Sequence, residues 1–330
     1  MKKALICGVS GQDGGYLAQF LLDKGYQVTG TSRDAQITPF GNLYRLGIRD
    51  RVAVVSMVLT DFRSVLQTLA NVEPDEIYNL AGQSSVAFSF EQPVETLESI
   101  ATGTLNLLEV MRFLGRNIKL YNAGSSECFG DTGGAKATET TAFRPRSPYA
   151  VAKATAHWQV DNYRDAYGLF ACNGILFNHE SPLRPVRFVT RKIVTAACRI
   201  AHGSGETLRL GNLTIRRDWG WAPEYVDAMW RMLQQRTPED FVIATGETYS
   251  LEEFVAAAFT EQGLDWHEHV AHDQTLLRPA DISYSAGDAS KADRVLGWRA
   301  MLRMPDVVRH MMIAECMESE RMRTAVRDKE

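Results

Sequence analysis

The sequence predicts an α/β fold: a doubly wound parallel sheet with a smaller mixed α/β lobe. Three observations predict it. Short apolar runs alternate with helical patterns through the first half of the chain. Such alternation places parallel strands under helices on both faces. A glycine-rich turn joins the first run to the first helix. After Phe177 the pattern breaks: prolines cluster at Pro182 and Pro185, basic residues gather and strands thin out.

Ala4–Cys7 reads as a buried strand, and Tyr16–Lys24 has apolar residues at helical spacing before the stop at Gly25. Gln27–Thr31 and Val52–Met57 are the second and third strands, with a helix over Phe62–Ala70. Glu76–Leu80 is the fourth strand, followed by a long helix through Thr104–Leu114. Ile118–Ala123 is the fifth, Tyr149–Tyr167 a further helix and Ala171–Phe177 the sixth strand. Trp219–Ile243 is expected to return to the main sheet. The main body is therefore assigned to residues 1–177 and 218–245, and the lobe to 178–217 and 246–330. The charged tail Glu318–Glu330 reads as a frayed helix.

Composition excludes several classes. The 330 residues are 45% hydrophobic and 23% charged, as in a globular protein. A formal charge of −4 with no long basic block argues against nucleic-acid or membrane-surface binding. No apolar stretch approaches the ~20 residues that span a bilayer. The apolar start ends at Gly8, too short for a secretory signal. Cys7, Cys128, Cys172, Cys198 and Cys316 form no CxxC pair, which fits a reducing compartment, and a cytoplasmic location is expected.

Gly8-Val9-Ser10-Gly11-Gln12-Asp13-Gly14 lies between the first strand and first helix. Glycines there let the turn close and let backbone N–H groups approach a pyrophosphate, and the helix N-terminus favours the anion. The context marks a Rossmann-type dinucleotide site. Arg33 lies about 20 residues past the glycines, where a cation accommodates the extra phosphate of NADP. Asp34 beside it is the kind of residue that binds the ribose of NAD, so NADP is favoured and NAD stays open.

Tyr149 and Lys153 stand at i and i+4 on one helix face. An ammonium near a phenol stabilises its phenolate, so the pair can take a proton from an alcohol as a hydride leaves. Ser125-Ser126-Glu127 follow the fifth strand, at the strand ends where parallel sheets hold ligands. The bland alternative for Glu127 is a solvated loop acid.

With these residues in place, the chain resembles the extended short-chain dehydrogenase/reductase family, and within it the GDP-mannose 4,6-dehydratases. The stretches GVSGQDGGYLAQFLLDKGY, SSECFG, RPRSPYAVAKATAHWQVDNYRDAYG and RPADISYSAGDASKADRVLGW carry the resemblance. The blocks NHESP, FVTRK and RDWG are more specific than the glycine turn or YxxxK. The likeness runs to about Trp298.

The resemblance implies a lyase. Tyr149 deprotonates the sugar C4 hydroxyl as the C4 hydride passes to NADP+. Glu127 removes the C5 proton and water leaves from C6. Ser125 stands where the family has a threonine. The hydride returns to C6, giving GDP-4-keto-6-deoxymannose. It implies cofactor contacts from Gly8 through Asp13, Leu80, Ala81, Gly82, Gln83, Ser84, Tyr149, Lys153, His179 and Arg184. Leu59 stands at the third strand end, where the family meets the adenine. Nucleotide-sugar contacts are implied for Ser84, Ser125, Asn178, Lys192, Arg217, Arg278 and Asp281. A homodimer or homotetramer built on helices near Thr104–Leu114 and Tyr149–Tyr167 is also implied.

Three departures stand against the family pattern. Val58-Leu59 replaces Asp-Leu, Asp34 replaces a second arginine, and Pro185-Val186-Arg187 replaces Gly-x-Glu after Arg184. They bear on NADP affinity, on tetramer formation and on which hexose or heptose is carried. The rival readings are an NADPH-dependent C4 reductase or C4 epimerase on a GDP-sugar, a dehydratase of another GDP-hexose or heptose, and a non-catalytic dinucleotide-binding regulator. His267-Glu268-His269-Val270-Ala271-His272 has metal-like composition but no standard zinc spacing, so no metal is assigned. Cys128 reads as a packed thiol, and Trp219, Trp221 and Trp230 as packing residues.

Overall fold

A computed structural model describes residues 1–327, with side chains through residue 319. The tail reading for 318–330 lies mostly outside the described side chains. The body is a seven-stranded sheet of β1 (Lys3–Cys7), β2 (Gln27–Ser32), β3 (Ala53–Ser56), β4 (Glu76–Asn79), β5 (Lys119–Ala123), β6 (Ala171–Leu176) and β11 (Phe241–Ile243). Its order is β11-β6-β5-β4-β1-β2-β3, and every pair is parallel. The order reverses between β1 and β4, and a parallel sheet opens a ligand crevice at such a switch.

Helices α1 (Gln12–Asp23), α2 (Gly41–Arg45), α3 (Phe62–Val72), α4 (Val86–Glu91), α5 (Pro93–Leu97), α6 (Gly103–Leu114) and α7 (Pro148–Tyr167) belong to the first half. Leu17, Leu21 and Val28 pack with Tyr225 and Met229 of α9 (Ala222–Leu233) on one face of the sheet. Leu5, Val65, Leu69, Leu107 and Leu108 fill the other. Each such leucine contributes about 1.5–3 kcal/mol on full burial. Helix α7 starts at Ser147, whose hydroxyl accepts from the Ala150 N–H at 3.1 Å, with Pro148 in the first turn, and stops at left-handed Gly168.

Asn79, Asn122 and Asn173 sit opposite one another on β4, β5 and β6. Their side chains bond in series, at 3.0 and 2.9 Å. A buried amide without a partner is costly, so this ladder fixes the register of the strand ends that carry the site.

The lobe holds β7 (Asn178–Glu180), β8 (Leu208–Leu210), β9 (Arg216–Arg217), β10 (Trp219–Trp221), β12 (Tyr249–Ser250) and β13 (Val270–His272) in three two-stranded sheets. Its core joins α8 (Val189–Ala201), α10 (Leu251–Thr260) and α12 (Met304–Arg327) through Ile193, Phe254 and Val308. The return of Trp219–Ile243 to the main sheet is only partial. Phe241–Ile243 extends the sheet, but Trp219–Trp221 pairs with Asn178–Glu180 instead. Trp298, after α11 (Ser290–Leu296), packs with the body core, its indole donating to the Glu224 carbonyl at 2.9 Å.

Candidate active site

The glycine turn is built by close approach. Gly8 is left-handed at φ 84°, and a Cβ there would lie 3.0 Å from Ala81 Cα. A Cβ on Gly14 would lie 2.4 Å from the Gly8 carbonyl oxygen and 2.6 Å from Val9 Cα. Both neighbours are backbone, so a side chain has nowhere to go. Val9 is buried, and Ser10 gives its carbonyl to the Asn42 amide at 3.0 Å. Gly11 caps α1 without a side chain, leaving the first N–H groups to a ligand.

Across the crevice, Leu80 donates its N–H to the Cys7 carbonyl, and Ala81, Gly82, Gln83 and Ser84 continue the loop. Gly82 has φ 122°, and the Gln83 N–H bonds Ser99 Oγ at 3.2 Å. Leu59 gives its carbonyl to Asn106 at 2.7 Å and lies beside Gly103. Arg33 is exposed at the end of β2, 3.7 Å from Glu95. Asp34 is turned into its own loop, accepting from the Gln36 N–H at 2.8 Å.

A buried polar network closes the crevice floor. Gln12 donates to Asp13 at 3.0 Å and to the His179 carbonyl at 3.1 Å, and accepts from Ser181 Oγ at 2.8 Å. His179 Nε2 meets Asp13 Oδ2 at 2.9 Å, and Nδ1 meets the Phe177 carbonyl at 2.7 Å. Its ring stacks on Tyr225, with centroids 4.5 Å apart. Burial alone raises Asp13, but the His179 charge and hydrogen bond leave its pKa below the usual carboxylate value. Burial alone lowers His179, and Asp13 reverses the sign, so its pKa is raised. Arg184 lies 3.2 Å from Glu180, which also accepts from Thr190 at 2.8 Å. Ser181, Tyr225 and Phe177 were not anticipated; NHESP held the signal for Ser181, but its partner lies 169 residues away.

Ser125 caps a short 3-10 turn, Ser126–Phe129, accepting from the Glu127 N–H at 3.3 Å. That turn presents Glu127 at the end of β5. Burial raises the Glu127 pKa, Arg217 and Arg278 oppose this, and Asp281 adds to it. Tyr149 is also raised by burial, while the Ser125 hydroxyl against the phenol pulls it down. The expected depression of the phenol by Lys153 therefore does not emerge. Lys153 points to the Ala123 carbonyl at 2.8 Å, its Nζ 5.9 Å from the Tyr149 ring centre. Burial brings the lysine pKa down to about 8. Cys128 is buried with its thiol pushed up to about 12, as a packed thiol should be.

On the lobe side, Arg217 donates to the Ile282 carbonyl at 2.7 Å and lies 3.3 Å from Asp281. Arg278 is 3.8 Å from the same carboxylate. Asp218, next in chain, accepts from the Thr245 and Gly246 N–H groups at 2.9 and 2.8 Å and ties this strand to the end of β11. Asn178 opens β7 opposite Trp219. Lys192 stands apart, its ammonium on the Arg209 carbonyl at 2.8 Å. The charges of Arg217 and Arg278 act on Glu127, and Ser125 and Glu127 act in turn on the Tyr149 phenol. Such a set can move protons at neighbouring carbons and hold a diphosphate.

The family model for GDP-mannose 4,6 dehydratase matches residues 5–311. The chain belongs to the GDP-mannose 4,6-dehydratase family. GDP-mannose 4,6 dehydratase 2 of Arabidopsis thaliana is 49% identical over 327 residues, covering 96% of this chain and 87% of that one. The GDP-mannose 4,6-dehydratase of Vibrio cholerae is 43% identical, covering 97% and 95%. A solved UDP-glucose 4-epimerase of Thermus thermophilus in complex with NAD superposes with a TM-score of 0.80 at 26% identity, covering 94% and 98%. The span matched by the GDP-mannose 4,6-dehydratase family encloses every site residue from Gly8 to Asp281. Among the described residues, no helix is long and apolar enough to cross a membrane, and no cluster of His, Cys, Asp and Glu has metal-binding geometry.

Proposed function

We propose that this chain is a lyase that converts GDP-mannose to GDP-4-keto-6-deoxymannose, with Tyr149, Lys153, Ser125 and Glu127 as its proton-handling residues. The observation that carries this is the Ser125–Glu127 turn, which sets a raised-pKa carboxyl beside the Ser125–Tyr149 contact and under Arg217 and Arg278. A reductase needs an acid at C4 alone; a carboxyl whose pKa burial raises above the ordinary value also serves as base and acid in elimination at C5 and C6.

The crevice residues fit a nicotinamide dinucleotide. Gly8 and Gly14 form a cradle that any Cβ would fill, and Gly11 leaves the helix N-terminus open. These residues would hold the dinucleotide, whose nicotinamide would supply a reversible hydride acceptor for the sugar. We favour NADP over NAD, because Arg33 is exposed while Asp34 is consumed by its loop. Leu80 through Ser84, Leu59, His179 and Arg184 line this half of the site.

Tyr149 takes the C4 hydroxyl proton, with Ser125 sharing it. Lys153, with its pKa near 8, holds and relays a proton at the Ala123 carbonyl side. Glu127 takes the C5 proton and gives it to the departing C6 hydroxyl, which leaves as water; as C6 regains the hydride, C5 is reprotonated by the proton Tyr149 took from the C4 hydroxyl, so the protons balance and both residues are reset. Arg217 and Arg278 hold the diphosphate, Lys192 joins them by giving up the Arg209 carbonyl, and Ser84, Asn178 and Asp281 orient the remaining polar groups. The lobe formed by α8, α10 and α12 is the nucleotide-sugar side. Exposed Val94, Leu97, Phe113, Val151, Trp158 and Tyr167 lie on α5, α6 and α7, the helices through which we place a homodimer or homotetramer. Free thiols at all five cysteines accord with the cytoplasm.

Tyr149→Phe tests the assignment. The variant is expected to keep dinucleotide binding and lose about 10²–10⁴-fold in turnover of GDP-mannose. Unchanged turnover contradicts it.

A further inference from the structure

Cys198 on α8 and Cys316 on α12 meet with their sulfurs 2.9 Å apart. That lies inside the contact distance of two unbonded sulfurs. The other three cysteines are buried singly, with Cys128 and Cys172 set against the carbonyls of Ala150 and Leu120. Helices α8 and α12 pack directly on one another, and Cys198 belongs to the lobe core with Val307, Val308 and Met311. Cys316 is at the rim of that core and half-exposed, with Gln262 donating to its sulfur at 3.5 Å. One thiol of the pair is therefore reachable from solvent and the other waits behind it.

We propose that Cys198 and Cys316 are a redox-active dithiol that closes to a reversible disulfide, stapling α8 to α12 across the lobe. The oxidant is a small-molecule disulfide such as oxidised glutathione. Cys316 loses its proton and attacks one glutathione sulfur, and the other glutathione leaves and is protonated. Cys198 then loses its proton and attacks the Cys316 sulfur, expelling the second glutathione. Two thiols are oxidised, one disulfide is reduced, and two glutathione thiols are released. Charge beside the pair tunes the second step. Burial pushes the Cys198 thiol up, as do the neighbouring Cys316 and Glu315, while Arg191 pulls it down. Arg191 and Glu315 form a buried ion pair spanning the same two helices. The staple would close a chain loop from 198 to 316, and long loops gain most from closure. It also fixes the helix that carries Lys192.

The test takes the full-length reduced protein through a series of glutathione redox buffers. Intact mass and a non-reducing peptide map are read at each step. The expected result is loss of two hydrogens, a peptide pair joined through Cys198 and Cys316, a raised Tm, and full reversal by dithiothreitol. Cys316→Ser is expected to stay free of any link, and Cys198→Ser to stop at a glutathione adduct on Cys316. A folded wild-type protein that keeps both thiols free in the most oxidising buffer overturns the proposal. So does one that carries only the Cys316 adduct, or that links other cysteines. Should Cys198→Ser fail to fold, the wild-type map and Cys316→Ser still decide.

Discussion

Asp13 and His179, 166 residues apart, bond at 2.9 Å, and the other ring nitrogen of His179 faces the Phe177 carbonyl at 2.7 Å. Both partners are acceptors, so the ring satisfies both only as the doubly protonated imidazolium. The first helix of the dinucleotide turn is thereby clamped to β7, the first strand of the lobe, by a partly buried ion pair. Breaking one side of such a pair costs more than the pair itself contributes.

The clamp makes stability depend on pH from both sides. His179 holds its proton more tightly in the folded chain than at its ordinary 6.5. Its contribution is complete below that value and is lost as pH rises through the folded pKa. Asp13 is depressed below its ordinary 3.8. Its contribution is complete above 3.8 and is lost as pH falls through the folded value. Urea midpoints are therefore expected to decline above neutral pH, and His179→Gln to flatten that decline. A variant with the same alkaline decline as wild type would remove His179 from the clamp.

Glu127 must be ionised to take the C5 proton, and burial raises its pKa above the ordinary 4.5. The acid limb of kcat/KM is expected above that value. Arg278 opposes the shift and Asp281 adds to it. In consequence Arg278→Lys should leave the limb nearly in place, while Asp281→Asn should move it to lower pH. Glu127→Gln is expected to bind the dinucleotide and substrate yet lose about 10²–10⁴-fold in dehydration. Activity within a few-fold of wild type would exclude Glu127 as the base.

Among the described residues the Arg33 guanidinium has only a 3.7 Å approach to Glu95, whereas Asp34 is spent on the Gln36 N–H at 2.8 Å. Arg33→Ala is expected to weaken NADP about tenfold or more and leave NAD nearly unchanged, as loss of one charge-assisted bond of about 1.5–3 kcal/mol implies. Calorimetric titration with both dinucleotides reads this directly. Equal losses for the two would take Arg33 out of the phosphate site.

Much of this architecture is legible along the chain because its determinants are local. The strands of the first half are short apolar runs, and α7 is legible as the helical run Tyr149–Tyr167; the structure adds its caps, Ser147 and Gly168. Asp34 reads along the chain as a ribose ligand; only the structure shows its carboxylate accepting from its own backbone two residues on. What escapes the sequence is tertiary. Trp219–Trp221 reads as a return to the main sheet because its aromatic run looks like any core strand; its true partner, Asn178–Glu180, is polar and three residues long. Trp298 packs with the body from within a segment read as lobe. The YxxxK spacing places Tyr149 and Lys153 on one face but says nothing of the Ala123 carbonyl that takes the ammonium. The Cys198–Cys316 approach likewise has no signal in spacing, with 118 residues between the two.

The most direct test of the whole reading is mass spectrometry of GDP-mannose incubated with the protein and NADP+ at a small fraction of the substrate concentration. A dehydratase that recycles its hydride gives complete conversion to a product lighter by one water, with many turnovers per dinucleotide and no net change in dinucleotide absorbance. Conversion that stops at one equivalent of dinucleotide, or none at all with the dinucleotide bound, would contradict it.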